Sequence, residues 1–186
     1  MSNSETILAG STSATNVTLR NADDGSLRIM TGATPTEVMK IPGGGIPAFS
    51  AYMSGTQSVT TSTWTKVQCN TEEFDTASSY DNSTNYRFQP TVAGYYQVNG
   101  QIYFGAASGM SRFIVELYKN GATFKSGTEG APAIATVGRG VVSALVYLNG
   151  SSDYIELWGY VSATTPVFGA SIATQTYFQA VLVRAA

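Results

Sequence analysis

The sequence predicts an all-β protein, a two-sheet sandwich or jelly roll, and three observations predict it. Apolar and polar side chains alternate through most of residues 49–184, and no segment of ten or more residues holds a helical apolar period. Short strand-like pieces recur between clusters of Gly, Asn, Asp, Ser and Thr, which favour turns through backbone freedom or local side-chain bonding. Charged residues are only 12% of the chain, against about 25% in an average domain. A surface poor in charge and rich in Gly, Ser, Thr and Tyr suits a β assembly with much of its exterior buried in contacts.

At 186 residues the chain has length for one substantial domain and a small appendage, a size at which folding buries roughly 70% of the unfolded surface. A net charge of −2 gives no electrostatic footprint for nucleic acid or an acidic membrane. Cys69 is alone, so no intrachain disulfide forms. No apolar run is long enough to insert into a membrane. The start, MSNSETILAGSTSA, lacks a basic region and a long apolar stretch, so no secretory signal is expected there.

Residues 1–46 read as an N-terminal β arm and residues 47–186 as the head. In the arm, Val17 to Leu19 and Leu27 to Ile29 flank Asp23-Asp24-Gly25, a tight-turn signal. A third piece, Val38 to Ile41, ends at Pro42-Gly43-Gly44-Gly45. Three short strands bury no core of their own, so the arm is expected to order against sister chains or a larger particle.

The head opens with strands at Phe49 to Met53 and Trp64 to Val67. A polar excursion from Phe74 to Thr84 leads to Tyr86-Arg87-Phe88 and Pro90, which stops a ladder because it has no N–H. After Gly94, a turn glycine expected to need positive φ, a long strand puts Tyr96, Val98, Ile102 and Phe104 on one face. Tyr95, Gln97, Asn99, Gln101 and Tyr103 take the other, a hydrogen-bonding and aromatic face suited to a wet interface. Arg112 to Lys119 places Phe113, Val115 and Leu117 together and ends at Asn120-Gly121, a type I′ hairpin signature. A loop from Ser126 to about Ala133 leads to a strand reaching Leu148, and Asn149-Gly150 reads as a second turn of the same kind. Tyr154 to Ser162 has Ile155, Leu157 and Val161 opposite Tyr154, Glu156, Trp158 and Tyr160, and Thr176 to Arg184 closes the head.

The chemistry of an enzyme is missing. There is no His, the commonest general base and metal ligand, and one Cys without His makes no thiol nucleophile. Asp75 and Asp81 lack the oxygen-rich spacing of a calcium loop, and a solvated loop is the plainer reading. Sequons at Asn16, Asn82 and Asn149 are expected by chance in a chain this rich in Asn, Ser and Thr. Tyr52, Tyr95, Tyr103, Trp158 and Tyr160 are candidates for a sugar platform, but packing against core or subunit is the commoner use of such residues. No catalytic, cofactor or metal site is expected.

The order Phe49-Ser50-Ala51-Tyr52, Phe74-Asp75, Tyr80-Asp81, Tyr86-Arg87-Phe88, Pro90, Ala93-Gly94-Tyr95-Tyr96 and Leu117 to Gly121 resembles the globular head of complement component 1q and its relatives. Val142 to Leu148, Asp153 to Leu157 and Tyr177 to Ala180 are similar to that family's last strands. The resemblance spans Phe49 to the C-terminus. It implies a ten-stranded jelly roll of the tumour necrosis factor type, assembled as a homotrimer, with Tyr95, Tyr103, Trp158 and Phe178 as candidates for the trimer interface.

The leader departs from the animal pattern, with no collagen repeat. Its LRIMTGATPTEVMKIPGGG is similar to the strand-turn repeats of bacteriophage fibres and other virion proteins. This implies a virion structural protein, assembled in the host cytoplasm, whose foot holds the major capsid protein or another virion protein through Leu19, Leu27, Ile29, Met39 and Ile41. A short leader favours a capsid decoration (cement) protein. The alternative is a fibre tip whose loops, Ser78 to Asn85 and Gly127 to Ala133, read a host-surface glycan or protein. A non-viral trimeric lectin-like protein is the third reading.

Overall fold

A computed structural model describes residues 6–8, 17–21, 26–31, 36–42, 45–132, 135–169 and 173–186. The turn expected at Asp23-Asp24-Gly25 lies outside them. The arm forms an antiparallel sheet of β1 (Thr6–Leu8), β2 (Val17–Asn21), β3 (Leu27–Thr31) and β4 (Thr36–Ile41), in that order. The last three match the strands that the sequence displays, while the three residues of β1 are too few to display a period.

The head begins with β5 (Ala48–Tyr52), β6 (Gln57–Ser58), β7 (Thr65–Lys66), β8 (Thr71–Asp75), β9 (Tyr80–Asp81) and β10 (Arg87–Phe88). It continues through β11 (Gly94–Lys119), β12 (Ala122–Gly130), β13 (Ala135–Leu148), β14 (Ile155–Thr164), β15 (Val167–Phe168) and β16 (Tyr177–Ala185). A front sheet runs β8-β5-β16-β11-β13 and uses the first part of β11. A back sheet is built on β14, which pairs with the second part of β11, with β10 and with β7, while β12 pairs with β11 at the edge. β11 thus belongs to both layers, and its register breaks after Gly105 mark where it leaves one for the other.

The two-residue period decides what lies between the sheets. Tyr96, Val98, Ile102 and Phe104 are fully buried, as are Val115 and Leu117 from the second part of β11. Ile155, Leu157 and Val161 meet them from β14, as their alternation predicts. Phe49 anchors one end, stacked on Tyr80 at 4.5 Å and Phe88 at 4.7 Å, with Phe178 edge-on at 5.2 Å. At the other end Phe104 meets Phe168 edge-on at 5.5 Å.

Several expectations are corrected. The stretch from Ser126 to Gly130 is strand, the end of β12, rather than loop. It packs so closely on β13 that a side chain at Gly127 would strike the Val141 carbonyl, and Thr128 Oγ1 bonds both the N–H and the carbonyl of Val141. Asn120-Gly121 is a hairpin turn, with φ of 54° and 80°. Asn149-Gly150 is not: only Gly150 has positive φ. Asn149 Oδ1 instead accepts from the backbone N–H groups of Ser151, Ser152 and Asp153, ordering a longer crossing to β14. Gly94 does not hold positive φ either; β16 crosses it too closely for a side chain.

Candidate interaction faces

The front sheet turns its second face outward, and the register of β11 sets what stands on it. Tyr95 lies opposite Tyr147, Gln97 opposite Leu145, Asn99 opposite Ser143, Gln101 opposite Val141 and Tyr103 opposite Arg139. On the other side of β11, β16 adds Tyr177, Gln179 and Val181. Tyr95, Tyr147, Leu145, Val141, Val181 and Val183 are each more than 40% exposed. The centre is polar and internally bonded: Gln97 Nε2 donates to Ser143 Oγ at 2.9 Å, and Ser143 Oγ donates to Asn99 Oδ1 at 2.8 Å. Toward β8 a groove of about 490 Å³ opens between Ser50, Tyr52, Glu73, Tyr177 and Gln179. An apolar surface rimming a pre-bonded polar strip is built to be covered, because scattered exposed apolar residues are ordinary but a contiguous field of them is not.

The four interface candidates separate. Tyr95 and Tyr103 stand on this face. Phe178 does not: it is 1% exposed, and its ring is spent on Phe49 and Tyr80 inside the sandwich, so it offers a partner no surface. Trp158 is on the opposite sheet, half-buried on the outside of β14. There it stacks on Tyr118 at 4.6 Å, while Trp64 bridges Tyr118 and Tyr160. Its indole N–H donates to Glu156 at 2.9 Å, and Lys66 Nζ, over its ring, pairs with Glu156 at 2.6 Å. That pairing lets a carboxylate sit almost wholly buried on the back sheet. Tyr52, Tyr95 and Tyr103 therefore face away from Trp158 and Tyr160, and the five make no single sugar platform.

The loop after β8 is organised by two carboxylates. Asp75 accepts backbone N–H bonds from Ala77, Ser79 and Tyr80, and Asp81 from Ser83, Thr84 and Asn85. The amides of Thr84 and Ser83 hold the Asp81 carboxyl well below the usual carboxylate range. Both carboxylates are occupied as turn caps. Among the described residues no group of three or more His, Cys, Asp or Glu side chains converges as a metal site. A polar crevice of about 310 Å³ lies alongside, between Ser78, Asp81, Asn85, Arg87 and Ser151.

In the arm, Leu19 is in register with Ile29, Ile29 with Met39, and Leu27 with Ile41. Leu27 and Met39 are exposed, and Ile29 and Ile41 are half-buried. A groove of about 390 Å³ runs between β4 and β16, lined by Met39, Ile41, Ile46, Leu182 and Val183.

No protein-family profile matches the chain, and no curated protein matches it. Solved structures do. The globular domain of zebrafish complement 1qA is 16% identical, with a TM-score of 0.52 over 76% of this chain and 99% of that one. Murine APRIL is 11% identical, with a TM-score of 0.54 over 74% and 99%. The Eiger TNF of S. frugiperda is 13% identical, with a TM-score of 0.56 over 76% and 93%. The fold is the jelly roll shared by complement 1q and tumour necrosis factor domains.

Proposed function

We propose that the chain works as a homotrimer, a non-enzymatic structural and binding head closed by the outward face of its front sheet. The observation that carries this is the exposed apolar field of Tyr95, Tyr147, Leu145, Val141 and Val181 around a polar strip already bonded within the chain. Covering that field removes apolar area from water and leaves few polar groups to re-pair. The sequence resemblance to trimeric heads supports three copies rather than two. Light scattering on the full chain is expected to give about three times 19.6 kDa at micromolar concentration. A monomer there overturns the reading.

Within that reading the head is a virion component, a capsid decoration protein exposed on the shell, with the arm as its foot. The support is the leader's likeness to phage strand-turn repeats and the exposure of Leu27 and Met39 on a small sheet. Three feet on one trimer make the second and third attachments intramolecular, so modest contacts add to firm binding. Particles would carry a decoration protein in numbers comparable with capsid subunits, and a fibre tip in far fewer. Shells lacking the chain should lose heat resistance; unchanged shells count against decoration.

A further inference from the structure

Glu73 and Arg139 stand at opposite edges of the front sheet, and Arg184 stands at the end of β16, opposite Tyr95. β8, one edge, carries Glu72 and Glu73 beside the exposed Phe74. β13, the other edge, carries Arg139 as its one charged residue. Across the middle, Ser50, Tyr52, Tyr177, Gln179, Gln97, Asn99, Gln101 and Tyr103 are all uncharged. Glu73 accepts a hydrogen bond from Ser50 Oγ at 2.7 Å, and no cation among the described residues pairs with it. The Arg139 guanidinium lies 5.4 Å over the Tyr103 ring with no carboxylate paired to it among those residues. Elsewhere in the head Lys66 pairs with Glu156, Arg112 with Glu129 and Lys119 with Asp153, while among the described residues Arg87, Lys125 and Arg184 form no ion pair. The front sheet leaves opposite charges unpaired at opposite edges.

We propose that Glu73 of one copy meets Arg139 of the next, fixing a head-to-tail contact in which the β8 edge of each subunit receives the β13 edge of its neighbour. This rests on the homotrimer reading and adds its register and polarity. A closed threefold ring uses two different patches on every subunit, one given and one received. Opposite charges on opposite edges fit that arrangement and repel the like-edge pairing of a twofold dimer at Glu73 and at Arg139. The groove beside Glu73, about 490 Å³, is open to receive a long side chain and lies on the face the trimer covers.

The test uses the full chain with Glu73→Arg, Arg139→Glu and the two combined, followed by sedimentation over a dilution series. Each single reversal puts like charges together, and the midpoint concentration for assembly is expected to rise about tenfold or more. The double reversal should return it to within about threefold of the wild type, since only a direct pair couples so strongly. Glu129→Lys, on the exposed Arg112 pair of the back sheet, should leave assembly unchanged. A wild-type trimer indifferent to both single reversals, or a double variant no better than either, overturns this contact alone. A monomeric wild type removes the trimer and the contact together.

Discussion

Tyr95 and Tyr147 face each other across β11 and β13, ring centroids 5.5 Å apart, both more than 40% exposed. Lys119 Nζ lies 5.9 Å over the Tyr147 ring while bonding the Tyr147 carbonyl, so one wall of this pair is already fixed. Rigid aromatics held in place lose little entropy when a partner covers them, which is why such residues dominate interface energies. Replacing both by Ala is expected to weaken assembly at least about thirtyfold, the equivalent of one strong hot spot per contact. The monomer's fold should survive, because neither ring enters the core. Dilution-dependent light scattering beside far-ultraviolet dichroism separates the two effects, and undiminished assembly would remove the front face from the interface.

Gly94 offers a prediction whose cause differs from the one its sequence context implies. A Cβ there would strike the Arg184 carbonyl oxygen and approach Leu182 Cδ1 to 2.7 Å. Gly94→Val should therefore cost about 3 kcal/mol through overpacking, lowering Tm by about 6 to 12 °C. Gly94→Ala should show much of the same loss, because the obstacle is the first carbon. If Ala is tolerated and only Val is not, β16 is less tightly seated than its register requires.

How far the sequence reached follows from where alternation is visible. Tyr96 to Phe104 and Ile155 to Val161 show the alternation and bury its apolar phase, whereas between Phe113 and Leu117 the intervening Ile114 and Glu116 are buried as well. The same rule, applied to β16, would have placed Phe178 inward with Ala180 and Leu182, since Tyr177 and Gln179 carry the polar phase. Alternation puts Trp158 on the outward side of its own strand, but a strand's period does not say which sheet it joins. β12 was hidden because Ser126, Gly127 and Thr128 read as turn residues, and only the closeness of β13 explains a glycine there. The sequence reads Asp75 and Asp81 as part of a solvated loop; their backbone partners emerge only when the loop is closed.

Asp81 gives the pH dependence. Its folded carboxyl is held below the ordinary range, chiefly by the Thr84 and Ser83 amides, whereas the unfolded value is near ~4. The stabilisation is therefore fully present above the unfolded pKa and is lost as pH falls through the folded one. Melting temperature should be flat near neutrality and decline below pH ~4. Asp81→Asn should be less stable at pH 7 and lose less on acidification, because its side chain has no proton to gain there. Equal acid slopes in the two proteins would show that Asp81 is not the responsible group.

Cys69 should behave as a buried reporter rather than a reactive thiol. It is fully buried, and burial pushes its pKa up to about 12. The thiolate is the reacting species, so at pH 8 both access and ionisation are withheld. The Tyr80 hydroxyl donates to the Cys69 carbonyl at 3.0 Å, and Tyr80 stacks on Phe49, tying this position to the aromatic end of the core. Labelling by a disulfide reagent should accordingly be negligible in the folded protein and accelerate with denaturant in step with unfolding. Tyr80→Phe keeps the stack and loses the tether, so it should speed labelling in the absence of denaturant more than it lowers Tm. Prompt stoichiometric labelling of the wild type at neutral pH would mean that the segment between β7 and β9 opens independently of the sandwich.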